Sequence, residues 1–529
     1  MFDILIVGGA MVDGSGAPAR QADVAVAGGK IVALGNLAHA EARERIDAAG
    51  LVVAPGFIDI HTHSDLPLLI SPLAESKIRQ GVTTEVIGNC GFSPAPITDE
   101  SVNHLRQLSA FLAKGAAELD WSWRSLGDYL ERLEQQGVAV NVVPLVGHVT
   151  LRATAVGFDH RLPTAEELAA MKKWVRESME AGAFGFSSGL VYPPSSYAET
   201  EELVDLSAVA AAHGGIYFTH IRGEGVTLMR ATAEAIEIGE RAGLPVQIAH
   251  HKASGRPYHG RIRQALQLSE WANERGQDVT CDVYPYTAGS TALAQVIPEW
   301  AHEGGREKLL ARLADPQTAA RIRAELEARP PEWDKTFVTW VGSERNKAAE
   351  GLNLAQIAER RGSDPIDALF AILQEEHTHA SMVQVLMDEE DVKTVIAHPL
   401  SVIGSDGSSL SPTGPLGEGK PHPRNYGTFA RVLQVYVRER GVLSLEQAVH
   451  KMTGATARKL GLKDRGLVRE GYAADLAVFN PATVRECGTY ADPHHFPEGI
   501  PYVAVNGRLV VRQNEHTGVL AGHVLRRGS

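Results

Sequence analysis

Through the middle of the chain, short runs of β-branched and apolar residues alternate with amphipathic stretches. Strand-like runs fall at 57–61 (FIDIH), 82–88, 139–146, 183–187, 215–219 (GIYFT), 245–249 (PVQIA), 278–283 (DVTCDV) and 400–405 (LSVIGS). Between them lie helical patterns. The clearest covers 164–182, where Thr164 and Glu167 make a capping box, Leu168, Met171 and Val175 share a face, and Gly182 closes the end. Another covers 201–213, with Leu203, Leu206 and Ala210 on one side. Eight strands with intervening helices predict an α/β fold, a TIM-like (β/α)8 barrel.

Both ends of the chain read differently. Short strands punctuated by glycine turns are expected at 3–7, 22–27 and 31–34, and again in GLVREGYAADLAVFNP and YVAVNGRLVV, where Asn506-Gly507 is a hairpin signal. The economical organisation is one small β-sandwich domain from 1–54 plus 465–529, flanking a barrel at 55–464. The glycines of IVGGAMVDGSG suggest a nucleotide loop, but no helix follows them, so hairpins are the better reading. Strands seven and eight are far apart in sequence. The gap holds a charged helix at 304–328, then PPEWDKTFVTWVGS and a helical stretch at 352–377, so an insertion or lid over the barrel mouth is placed at about 291–345.

Composition narrows the classes. The chain has 529 residues, 44% of them hydrophobic, and a net charge of −13. That balance argues against a nucleic-acid surface and against a polybasic membrane patch. Three cysteines make no disulfide framework, so a reducing, cytoplasmic compartment is expected. MFDILIVGG lacks a signal-peptide pattern, and no apolar stretch reaches the roughly 18 residues of a spanning helix. Nothing in the sequence sets the oligomeric state.

Barrel enzymes carry their chemistry where strands end. His61 and His63 end the first strand, Cys90 the second, His220 the fifth, His250 the sixth and Asp406 the eighth. Residues two apart on a strand point the same way, so His61 and His63 share a face. Each of these groups alone reads as core or accident. Six of them at strand ends of one barrel point to a zinc-like metal site. Cys90 in GNCGFS has three readings, in the order ligand, core residue, nucleophile. A nucleophile would leave the four histidines unexplained, and the flanking glycines suit a tight loop better than a packed core.

APGFIDIHTHSD, GVTTEVIGNCGFS, HHK and IGSDG resemble the N-acyl-D-amino-acid deacylase (D-aminoacylase) family of the amidohydrolase superfamily, over nearly the whole chain. The resemblance implies a tight zinc (Zn2+) held by Cys90, His220 and His250, and a second, weaker position near His61, His63 and Asp406. Many cyclic-amide hydrolases of the superfamily bridge two metals with a lysine after the fourth strand. FGFSSGLVYPPSS has none there, and Cys90 takes that place. The resemblance also implies a clamp for a substrate carboxylate from Lys252, Tyr284, Ser290 and Arg424, with Tyr192 at the mouth. The bland alternatives are a solvated Lys252, an Arg424 paired to an acid and a packed Tyr284. His148 is read as structural. Zinc lowers the pKa of its water to about 7, and Asp406 would take that proton and give it to the leaving amine, yielding a D-amino acid and a carboxylate. The rivals are a dihydroorotase- or hydantoinase-like cyclic-amide hydrolase and, more remotely, a non-catalytic scaffold on the same fold. Arg222, Arg345 and Lys347 are candidates to meet an acidic side chain.

Overall fold

In the structure, a computed structural model that describes residues 1–109 and 113–528, each of the eight expected central strands forms. They are β1 (Phe57–Asp59), β2 (Val82–Ile87), β3 (Asn141–Pro144), β4 (Gly185–Gly189), β5 (Ile216–His220), β6 (Val246–Ile248), β7 (Val279–Val283) and β8 (Ser401–Ile403). All are buried except for one partly covered residue, Thr280, as befits parallel strands covered by helices on the outer side. They are hydrogen-bonded as two parallel sheets rather than one continuous ring. One has the order β3-β2-β1, and the other runs from the short strand Val146–Gly147 through β4, β5, β6 and β7 to β8. A parallel bridge between Thr62 and Gly407 joins the ends of β1 and β8 across the gap between these sheets.

The helix Ala165–Glu180 carries the expected capping box at Thr164 and Glu167 and buries Met171 and Val175. The charged stretch at 304–328 is two helices, Arg306–Ala314 and Pro316–Ala328. Pro316 lacks the N–H that would continue the first, while Asp315 caps the second by accepting from the Thr318 N–H. The stretch at 352–377 is likewise two, Leu354–Arg361 and Pro365–Glu375, divided at the left-handed Gly362 and the cap Asp364. These helices pack on a three-stranded antiparallel sheet of Ala288–Ala292, Ala380–Val385 and Thr336–Val341. The whole shares an apolar cluster of its own, running from Leu293 to Met382.

Strands from both chain ends share one sheet: Val52–Pro55 pairs antiparallel with Leu476–Phe479 and parallel with Ala10–Met11. The hairpin of Tyr502–Val505 and Arg508–Arg512 turns at Asn506 and Gly507, both with positive φ. Among the described residues no helix is long and apolar enough to cross a membrane.

Candidate active site

The GNCG turn after β2 shows why those residue types are needed. Gly88 and Gly91 both sit at φ 80°, and a Cβ on Gly88 would lie 2.3 Å from the Leu145 carbonyl oxygen. Between them Cys90 itself is left-handed, at φ 52°. That turn carries the thiol to the strand ends. Cys90 Sγ lies 3.3 Å from His61 Nε2, 3.6 Å from His250 Nε2 and 3.9 Å from His220 Nδ1. Asp406 joins them: its Oδ1 is 3.0 Å from His63 Nε2 and 3.4 Å from His61 Nε2. One ligand atom each from His61, Cys90, His250 and Asp406 lie within 4.8 Å of one another, and all four residues are buried. The structure therefore brings together all six residues singled out at the strand ends.

These donors fit a metal ion. With metal–sulfur and metal–nitrogen bonds of about 2.3 and 2.0 Å at a tetrahedral angle, a shared zinc spaces sulfur and nitrogen about 3.5 Å apart. The three Sγ–N distances bracket that value. A thiolate with imidazoles is also the donor set that suits zinc. Burial pushes the Cys90 thiol up, but the charge of His61 and hydrogen bonds from His220, His250 and His61 bring it well below its ordinary value. Burial and Lys252 push His250 down, while Asp406, Cys90 and Glu224 outweigh them and raise it to about 9. The thiol thus favours its anionic form and His250 its cationic form, and a divalent cation would supply the same compensating charge.

Two carboxylates behind the imidazoles had no sequence signal. Asp282, inside β7, lies 3.1 Å from His61 Nδ1 and accepts from the His250 N–H and Gln247 Nε2. Glu224 lies 3.1 Å from His250 Nδ1 and 3.7 Å from His220 Nε2. In each case the far ring nitrogen faces a carboxylate while the near one faces Cys90, an arrangement that fixes the tautomer and orientation of a ligating imidazole. Asp282 reads as an ordinary polar residue in an alternating strand. The spacing of His220 and Glu224 in HIRGEG was available but carries no periodic pattern in a loop.

The expected clamp residues divide. Arg424, Ser290 and Tyr192 line a pocket of about 90 Å3 that also exposes His63 and Asp406. Arg424 Nη1 is 2.8 Å from Asp406 Oδ2, a charge contact without hydrogen-bond alignment, and its buried Nε and Nη1 donors have no hydrogen-bond partner. Ser290 Oγ donates to the Met382 carbonyl oxygen. Lys252 is turned onto other partners, with Nζ 2.5 Å from Glu224, 2.7 Å from His250 Nδ1 and 3.0 Å from the His250 carbonyl oxygen. Tyr284 stands between the two cations, 5.7 Å from Lys252 Nζ and 4.9 Å from the Arg424 guanidinium. Burial would raise the Asp406 carboxyl, but Arg424, His250, His61 and His63 hold it well below the usual carboxylate range.

His148 hydrogen-bonds Ser195 and Glu202 in full burial, as a structural residue should. The three candidate cations for an acidic side chain are all occupied: Arg222 with Glu234, Arg345 with Glu375 and Lys347 with Glu350.

The model of the amidohydrolase family matches residues 44–511, most of the chain and every residue of the cluster. The chain belongs to the amidohydrolase family. Within it, a D-aminoacylase from Alcaligenes xylosoxydans xylosoxydans is 41% identical over 526 residues, covering 99% of this chain and 98% of the relative. An N-acyl-D-aspartate deacylase from the same organism is 40% identical, covering 99% and 95%. The solved structure of an N-acyl-D-glutamate deacylase from Bordetella bronchiseptica, complexed with zinc and a phosphonate mimic of the tetrahedral intermediate, superimposes with a TM-score of 0.83 at 36% identity, covering 99% of both chains.

Proposed function

We propose that this amidohydrolase cleaves the amide bond of N-acyl-D-amino acids, releasing a D-amino acid and a carboxylate. The observation that carries this reading is the convergence of Cys90 with three imidazoles and Asp406, in a chain similar throughout to D-aminoacylase. The chirality of the substrate comes from that similarity.

Cys90, His220 and His250 would hold the tighter zinc, and His61, His63 and Asp406 a weaker second position. Zinc bound there supplies a Lewis acid for the amide carbonyl and lowers the pKa of a water to about 7. The chain's own residues do the rest. Asp406, held ionised, takes a proton on its carboxylate and passes it to the departing amine nitrogen. The orphaned Nε and Nη1 donors of Arg424 receive the substrate α-carboxylate, which competes with Asp406 for the guanidinium. Ser290 and Tyr284 complete that wall. Lys252 adds positive charge behind Tyr284 while keeping Glu224 against His250.

The architecture is part of the proposal. The two parallel sheets are read as one (β/α)8 barrel closed at Thr62 and Gly407, with a small β domain at 1–54 and 465–529. The segment between β7 and β8 is read as an inserted unit over the mouth, wider than the sequence suggested, because its sheet and apolar cluster reach from Ala288 to Val385. A reducing, cytoplasmic setting agrees with the free cysteines.

The test is a substrate panel on zinc-loaded protein with the metal counted. Release of amine from N-acetyl-D-amino acids, with their L-enantiomers, dihydroorotate and hydantoins left intact, is expected. Preferential opening of a cyclic amide would overturn the reading.

A further inference from the structure

Next to the pocket beside the cluster lies a second chamber of about 600 Å3. Phe92 and Tyr192 line both spaces. Their rings meet edge to face with centroids 5.1 Å apart, Phe92 also lying edge-on to His63 and Tyr192 to His220. The wall that the two spaces share therefore stands beside two of the clustered imidazoles.

The walls of this chamber come from the loops after β2, β3 and β4 and, in larger part, from the segment inserted between β7 and β8. His104 follows β2, Phe158 follows β3 and Tyr192 follows β4, while Arg306 and His379 come from the inserted segment. None of the residues read as the carboxylate clamp lines it: Lys252 follows β6, Tyr284 and Ser290 follow β7, and Arg424 follows β8. A substrate whose carboxylate is held by the clamp, with its amide carbonyl at the cluster, has the space past Phe92 and Tyr192 for its acyl arm. An acetyl methyl needs about the room of one water, roughly 30 Å3, so the chamber has space for much longer acyl chains.

Arg306 is the one lysine or arginine among the residues that line the chamber. Its Nη1 donates to His379 Nε2 at 2.8 Å. Burial, Arg306 and His377 hold the His379 imidazole down to about 4, so it accepts that bond as a neutral ring and brings no negative charge. Among the described residues no ion pair is formed by Arg306; the carboxylates of Asp159 and Glu307 also line the chamber, both exposed, and Glu307 acts on Arg306 through its charge alone. Arg306 also opens its helix, where a cation opposes the dipole, so helix stability does not explain its position. The turn that presents His379 is strained, with the non-glycine residues His377 and Thr378 at φ 48° and 64°. Strain of this kind collects at ligand-binding sites. Glu376 holds that turn, accepting from the Gly342 and Ser343 N–H groups and from Asn346.

We propose that the chamber is the acyl-group subsite and that Arg306 favours acyl chains ending in a carboxylate. This rests on the deacylase reading above. The chemical class is an N-(ω-carboxyacyl)-D-amino acid, cleaved by the same hydrolysis to a dicarboxylate and the D-amino acid.

The test uses the zinc-loaded full chain and one fixed D-amino acid. Succinyl, glutaryl and adipoyl derivatives are compared with butyryl, pentanoyl and hexanoyl derivatives of equal length, with the acetyl derivative as the common control. At least one carboxylated substrate is expected to exceed its neutral partner in kcat/KM by about tenfold or more, the scale of one charge-assisted contact, mainly through KM. Arg306→Gln should erase that preference while acetyl turnover stays within about twofold, which also shows that the variant folds. Arg306→Lys should retain part of it. Equal kcat/KM within every wild-type pair, or a preference that survives in Arg306→Gln, overturns the proposal. Failure of the zinc-loaded wild type to cleave the acetyl substrate strikes at the deacylase reading instead.

Discussion

Cys90, His250 and Asp406 each hold a left-handed backbone at a strand end, at φ 52°, 34° and 51°. In the inserted unit, by contrast, helices start on Asp315, Asn353 and Asp364, whose side chains accept from the first-turn N–H groups, and one ends on left-handed Gly362. In those helices local chemistry and tertiary structure agree, and the unit's own left-handed non-glycine residues, His377 and Thr378, lie at the chamber. At the cluster they conflict, because a left-handed non-glycine residue costs on the order of 1–2 kcal/mol. The same contrast runs through the side chains. The insert buries Leu354, Leu369 and Ile372 against one another, whereas the cluster buries imidazoles, a thiol and carboxylates. The difference separates what holds the molecule together from what it is built to do.

That separation can be broken by experiment. Asp406→Asn should keep the fold and the tighter zinc but lose about 10²–10⁴-fold in turnover, the range of a lost general acid–base. A metal-replete Asn variant with near-normal turnover removes Asp406 from the chemistry. Leu369→Ala should do the reverse in the insert, costing about 2–5 kcal/mol in chemical denaturation while turnover on N-acetyl substrates persists below the transition. A large loss of turnover in the folded variant would mean that the two regions are not separable.

Glu224→Gln sharpens the comparison within the cluster. Without its charge behind His250 and His220, zinc affinity should weaken about 10–100-fold, read by competition with a chelator. Unchanged affinity would make Glu224 a partner of Lys252 alone. The smallest effect concerns His251, buried next to His250, with neither ring nitrogen hydrogen-bonded. Burial first, then Lys252 and His250, push it down to about 4. An unfolded histidine titrates near 6.5, so between these values the unfolded chain binds the extra proton. Stability from His251 is then complete above about 6.5 and lost as pH falls through about 4. Denaturation midpoints should fall with acidification over that window, less steeply in His251→Leu. An equal slope in both proteins rules out this role for His251.

The same contrast explains what could be read from the sequence. The eight central strands were legible because buried parallel strands are written as β-branched runs with polar residues at their ends. His61, His63, Cys90, His220, His250 and Asp406 stood out as chemistry-bearing groups at those ends. Glu224 and Asp282 did not, because their importance lies in which ring nitrogen they face, which no local pattern encodes. Pro316 breaks a helix that its charge pattern alone continues. Lys252 could be placed near the site, but not its turn away from the pocket onto Glu224. The chamber beyond Phe92 and Tyr192 is assembled from loops far apart in the chain, so no stretch of sequence announces it.

The central claim is that the Cys90 sulfur and the imidazoles around it share a metal ion. Zinc K-edge X-ray absorption on the zinc-loaded protein measures this directly. The expected spectrum has a sulfur scatterer at about 2.3 Å together with nitrogen or oxygen at about 2.0–2.1 Å, and the sulfur shell disappears in Cys90→Ala. A first shell of nitrogen and oxygen alone in the wild-type protein would contradict it.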